Sequence, residues 1–115
     1  MNNETDKRQN SLLSSLGLCV RAGRVIFGVP LICDAMRRGG KGAPCLVLEA
    51  ADTSDNTHKK ITDKCNHYGV PTIRLSCDGA TLAEALGKRS VLAAVAITDG
   101  RMADMVRQHI VSDTI

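Results

Sequence analysis

The chain has 115 residues, 43% of them apolar and 23% charged, with a formal net charge of +3. That suffices for one hydrophobic core and excludes a long multidomain assembly. No run of residues approaches the roughly 18 to 20 apolar positions that span a bilayer, so a cytoplasmic protein without a membrane partner is expected.

Residues 1–10, MNNETDKRQN, hold no large apolar side chain beyond the initiator Met and mix both charge signs, which predicts a flexible N-terminal tail ahead of one domain over 11–115. Leu12, Leu13, Leu16, Cys19 and Val20 then recur at helical spacing, with Asn10 or Ser11 able to cap the start and Ala22-Gly23 to end it. Arg24 to Phe27 reads as a short strand closed by Gly28. Pro30 suits the first turn of the second helix, because its missing N–H would be unpaired there anyway. That helix runs to about Arg38 and stops at Gly39-Gly40.

Pro44 introduces the buried strand Cys45 to Ala50. Asp52, Thr53 and Ser54 offer caps for a third helix with an apolar face of Thr57, Ile61, Cys65 and Tyr68, ended by Gly69. Val70 to Leu75 is the third strand. Asp78, or a capping box of Thr81 and Glu84, starts a short helix through Leu86. Val91 to Ile97 is the most apolar strand and the expected centre of the sheet. After Thr98-Asp99-Gly100, the positions Met102, Met105, Val106 and Ile110 mark a closing helix. Five helices alternating with four strands predict a three-layer α/β/α sandwich.

Five cysteines, at 19, 33, 45, 65 and 77, form an odd set without a C-x-x-C, which suits reduced and mostly buried thiols. Cys65 and His67 have no further ligands at zinc spacing, so no metal or other cofactor is expected. Gly39-Gly40-Lys41-Gly42 resembles a phosphate loop, but it follows a helix and precedes a strand, the reverse of a nucleotide-hydrolysing motif, and Gly42 stands where the hydroxyl should be. The carboxylates Glu49, Asp52, Asp55 and Asp63 fall close together, yet Asp52 and Asp55 suit a helix start, and the histidines lie among polar residues with no nearby Ser or Cys forming a plausible nucleophile and base pair. The chain therefore reads as a non-enzyme with no small-molecule substrate.

Charge is uneven along the chain. Residues 21–41 carry Arg21, Arg24, Arg37, Arg38 and Lys41 against Asp34 alone, so the whole positive surplus sits in one short region. Gly28 stands where a strand gives way to a helix N-terminus, a place that offers backbone N–H groups and a positive dipole end to a phosphate. The same glycine also fits a plain turn, and the residues alone leave both readings open.

The segments L-L-S-S-L-G-L-C-V-R-A-G-R, G-V-P-L-I-C-D-A-M-R-R-G, D-T-S-D-N-T-H-K-K-I-T-D-K-C-N-H-Y-G-V-P, L-G-K and V-A-I-T-D-G occur in that order. In these the chain resembles the kink-turn RNA-binding ribosomal protein family, the one with archaeal large-subunit protein seven-Ae and eukaryotic large-subunit protein thirty, and most of all its small bacterial ribosomal-protein-like members. The resemblance implies a mixed four-stranded sheet, no catalysis, no cofactor, and structured RNA as partner, with neighbouring ribosomal proteins as further partners. It places RNA between the loop leading into the second helix, with Gly28, Val29, Pro30, Leu31 and Asp34, and the loop after the last strand, with Ile97, Thr98, Asp99 and Gly100. Arg24, Arg38, Lys41 and Arg101 would add phosphate contacts. Where the family reads base edges with Asn, Glu and Lys, this chain has Pro30, Leu31 and Asp34. A protein-interaction module on the same fold, with kink-turn recognition lost, is the alternative.

Overall fold

The computed structural model describes residues 3–114, with side chains described over 9–110. The order of elements is α1 (Asn3–Arg21), β1 (Val25–Phe27), α2 (Val29–Arg38), β2 (Leu46–Glu49), α3 (Asp55–Tyr68), β3 (Thr72–Arg74), α4 (Gly79–Ala85), β4 (Ala94–Ile97) and α5 (Gly100–Thr114). The strands form one mixed sheet in the order β1-β4-β2-β3, with β4 antiparallel to both of its neighbours and β2 parallel to β3. Both edge strands are only three residues long, which limits edge-to-edge pairing.

Every residue of β2 and β4 is buried, because helices cover both faces and successive side chains point to opposite sides. Leu46, Leu48, Val95 and Ile97 point into a core with Leu12, Leu16 and Cys19 of α1, Leu82 of α4 and Val106 of α5. Val47, Ala94 and Ala96 point the other way, against Val29, Ile32 and Met36 of α2 and Ile61 and Cys65 of α3. The three layers are therefore α1, α4 and α5, then the sheet, then α2 and α3, as the alternation of elements predicts.

Three boundaries differ from the sequence reading. Helix α1 begins at Asn3 rather than at Asn10 or Ser11. Glu, Lys, Arg and Gln in this stretch are strong helix formers, so helix extends past the apolar positions that packing requires. Strand β4 begins at Ala94, and Val91, expected inside it, is 68% exposed in the preceding loop. Tyr68 is 38% exposed rather than in the core, since Ile61 and Cys65 already fill the buried stripe of α3.

The caps follow local chemistry. Ser54 accepts a hydrogen bond from the Thr57 N–H at the start of α3, and Asp78 accepts one from the Thr81 N–H at 2.7 Å at the start of α4, so Asp78 and not a Thr81–Glu84 box sets that helix. Of the five cysteines, Cys19, Cys65 and Cys77 are buried, Cys33 is half-buried and Cys45 exposed; all are free. Burial pushes the Cys19, Cys65 and Cys77 thiols above their ordinary pKa. No described helix is long and apolar enough to cross a membrane.

Candidate nucleic-acid interface

The turn from β1 into α2 is built on Gly28, whose φ of 89° is a conformation that side chains resist. Its N–H donates to the Ala94 carbonyl at 3.0 Å, and its own carbonyl accepts from the Ile32 N–H at 3.1 Å. Gly28 therefore anchors the start of α2 to the first residue of β4. Its N–H is consumed in doing so, and Pro30 has none, which leaves the first-turn N–H groups of Val29 and Leu31 as the donors without intrahelical partners. The phosphate cradle suggested by Gly28 is thus narrower than the sequence implied.

Because β1 and β4 are antiparallel, with Val25 opposite Ile97 and Phe27 opposite Val95, the two loops expected to hold RNA lie at opposite ends of the sheet. Three residues of strand, about 10 Å at 3.3 Å each, separate Gly28 from Arg24 and from Thr98, whose N–H donates to the Arg24 carbonyl. Ile97 is fully buried, so its side chain packs in the core and only its backbone faces this loop. Asp99 accepts from the Met102 N–H at 3.0 Å and so caps α5. Arg38 and Lys41 line a hollow with Gly39 and Gly42 near that same far end, where the Cys45 N–H meets the Ile97 carbonyl. Asp34 is held by Arg37 and, at 3.3 Å, by Arg38, so part of the local positive surplus is neutralised within α2.

A different loop faces Gly28. The segment between α4 and β4 brings Val91, Leu92 and Ala93 against Gly28, Val29 and Pro30, and with Thr57 and Lys60 of α3 they enclose a cleft of about 410 Å³. Val91 of this lining is 68% exposed, and Leu31, the residue after Pro30 in α2, is 61% exposed. Lys88 reaches over the Phe27 ring, its Nζ 4.0 Å from the centroid, which ties the start of this loop to the residue before Gly28. Gly79 fixes the far part of the loop, where the Leu92 N–H donates to its carbonyl at 3.2 Å and its own N–H donates to Asp52 Oδ1 at 2.8 Å. The α4–β4 loop was missed because Val91 and Leu92 read as the beginning of a strand. Lys88 and Arg89 ahead of that apolar run were the available signal.

The same end of the sheet holds a buried carboxylate that the sequence reading left without a role. Glu49, the last residue of β2, is 2% exposed and points toward α3. His58 Nδ1 lies 2.8 Å from its Oε2, the Thr53 hydroxyl donates to it at 2.7 Å, and Arg74 Nε stands 3.7 Å away. Every partner comes from a neighbouring segment, so the carboxylate clasps α3 and β3 to the end of β2, beside the cleft. The Thr53 hydroxyl is committed to the Glu49 carboxylate and the Ala50 carbonyl, and no set of three or more metal-ligating side chains exists among the described residues.

The architecture and this cleft define a class: a small α/β/α sandwich protein with a basic, apolar-rimmed groove where strand β1 turns into α2. The chain belongs to the ribosomal protein L7Ae/L30e/S12e/Gadd45 family, whose pattern matches residues 10–106. It is 40% identical over 84 residues to the RNA-binding protein YlxQ of Bacillus subtilis (strain 168), covering 73% of this chain and 79% of that one. Identity to the RNA-binding protein YlxQ of Enterococcus faecium is 36% over 77 residues, or 66% and 70% of the two chains. Among solved structures, a protein of unknown function from Bacillus halodurans C superposes with a TM-score of 0.75 at 27% identity, over 86% of this chain and 95% of that one. The Giardia lamblia 15.5kD RNA binding protein shares the fold, with a TM-score of 0.68 at 17% identity over 99% and 91% of the two chains.

Proposed function

We propose that this protein is a non-catalytic, cytoplasmic RNA-binding protein that associates with structured, bent RNA, kink-turns and ribosomal RNA among them, at the cleft between the start of α2 and the α4–β4 loop. The observation that carries this reading is the cleft itself, where Lys60 and exposed Val91 stand against Gly28, with exposed Leu31 next in sequence to the cleft residue Pro30 and Lys88 over the ring of Phe27, the residue before Gly28. The cations and the free N–H groups of the first α2 turn take phosphates, and the apolar rim takes the face of a base turned out of the stack. Family membership and the names of the relatives support the same partner.

Pro30 and Leu31 present no side-chain donors or acceptors, so α2 does not read base edges as Asn and Glu would. The proposed recognition is of RNA shape and backbone, with Arg24, Arg38, Lys41 and Arg101 at the far end of the sheet adding weaker phosphate contacts. The exposed Leu31 and Val91 also favour a second reading, a protein-interaction face.

Equilibrium binding to a kink-turn, a ribosomal RNA fragment and an unstructured control, each at two or more salt concentrations, tests the proposal. We expect preference for the folded RNAs and a logarithmic salt slope of about −2 to −3, from roughly three phosphates neutralised. Equal affinity for all three RNAs, or no measurable binding, overturns it; partner capture with little salt dependence would favour the protein interface.

A further inference from the structure

A shallow groove of about 590 Å³ runs along the outer face of α3, lined by Lys59, Lys60, Asp63, Lys64, His67 and Tyr68. Lys60 lines both hollows and so stands on the border of groove and cleft. From this we infer that α3 carries a second RNA contact, a cationic track from Lys60 through Lys64 to Tyr68 that holds a single strand leaving the cleft. The inference rests on the RNA reading above and adds to it.

Three lysines face one aspartate in this groove, and the aspartate is already matched, since Lys59 Nζ lies 2.8 Å from Asp63 Oδ2. Lys60 and Lys64 have no acidic partner among the described residues. They stand four positions apart, so their attachment points follow one another by about 6 Å along the helix, on the same side. A helix face whose role was solubility alone would interleave the two signs more evenly. Here Lys60 borders the cleft and Lys64 follows it one turn later along α3.

Tyr68 closes the track. It is the only tyrosine in the chain, it is 38% exposed, and α3 ends at the next residue, Gly69, in a left-handed turn. His67 meets it edge to face, with centroids 4.7 Å apart and planes at 87°, which limits how the phenol ring can swing. An exposed aromatic ring following two unpaired lysines is the pairing that single-strand binders use, with cations on the backbone and a ring for an unpaired base. Its buried side needs no such ring, because Ile61 and Cys65 already fill that role.

The test compares one folded RNA in two forms, bare and with a single-stranded extension of about 8 nucleotides at either end, long enough to follow the track. The extension at one end raises wild-type affinity by about tenfold, the gain expected of one stacked base together with a phosphate contact. Lys64→Glu and Tyr68→Ala remove that gain and leave affinity for the bare RNA unchanged, while Tyr68→Phe keeps it. Lys88→Glu, over the Phe27 ring at the β1–α2 turn, weakens both forms. If neither extension helps, or the gain survives both Lys64→Glu and Tyr68→Ala, the track is refuted with the cleft reading intact. Should neither RNA form bind wild type at all, the RNA reading fails and takes the track with it.

Discussion

Gly79 is the point at which a single methyl group distinguishes this loop arrangement from any other. A Cβ built there would lie 2.6 Å from the Leu92 carbonyl oxygen and 2.6 Å from Val91 Cγ1. Val91 is exposed and can rotate away, but Leu92 O is backbone, and ordinary contact at 3.4 Å requires it to move by about 0.8 Å. Neither side yields easily. Leu92 is 8% exposed within the core, and α4 is held by the Asp78 cap and by the Gly79 N–H on Asp52. Gly79→Ala should therefore cost about 1 to 3 kcal/mol, as overpacking does. Because the segment that moves is one wall of the cleft, the folded variant should also bind RNA about five- to thirtyfold more weakly, equivalent to about 1 to 2 kcal/mol. Thermal unfolding and RNA titration of the same sample measure both effects. Gly17→Ala is the control, since no atom lies within 4 Å of its added methyl and its backbone is helical; it should be neutral or slightly stabilising. Unchanged melting in Gly79→Ala, or destabilisation with RNA affinity intact, would refute the link between loop position and binding.

Partners of the buried Glu49 should matter more than the carboxylate itself. Removing His58 and Arg74 together leaves a buried unpaired charge and should cost about 3 to 5 kcal/mol in denaturant unfolding, whereas Glu49→Gln should cost about 1 to 2 kcal/mol because its partners are half exposed. Hydrogen bonding from the backbone N–H of Thr81 holds the Asp78 carboxyl below its ordinary pKa. A group more acidic when folded than unfolded stabilises above its unfolded value and loses that contribution as pH falls through the folded one. Asp78→Ala should accordingly lower Tm at neutral pH, with the gap to wild type closing below about pH 4. In native alkylation at pH 8, Cys45 should react first, and buried Cys19, Cys65 and Cys77 only on unfolding, as mass spectrometry of the labelled peptides would show.

Features written in short-range chemistry were legible before the fold was known. Gly28, Gly39 and Gly69 end or turn elements where their positive φ is used, and the continuous apolar run of β2 marks a strand buried on both faces. The site was only half legible, because which loops meet depends on strand direction and not on local sequence. The antiparallel pairing of β4 with β1 carries Thr98 to Arg101 away from Gly28 and brings Val91 to Ala93 to it. Ile97 shows the same limit, since its buried position follows from its place beside Val25 and Leu46 in the sheet. Glu49 hid inside an apolar run, and His58, nine positions later, gave no local hint of pairing with it.

Two ends of one sheet thus compete for the RNA, and charge reversal at each end decides between them. RNA affinity measured against salt for Lys60→Glu and Lys88→Glu, beside Lys41→Glu and Arg101→Glu, is the direct comparison. Lys60→Glu in the cleft and Lys88→Glu beside the β1–α2 turn should each weaken binding about tenfold and reduce the salt slope by about one, while the far-end variants change affinity by less than about threefold. Large losses at Lys41 and Arg101 with the Lys60 and Lys88 variants unaffected would place the RNA at the opposite end of the sheet and contradict the cleft reading.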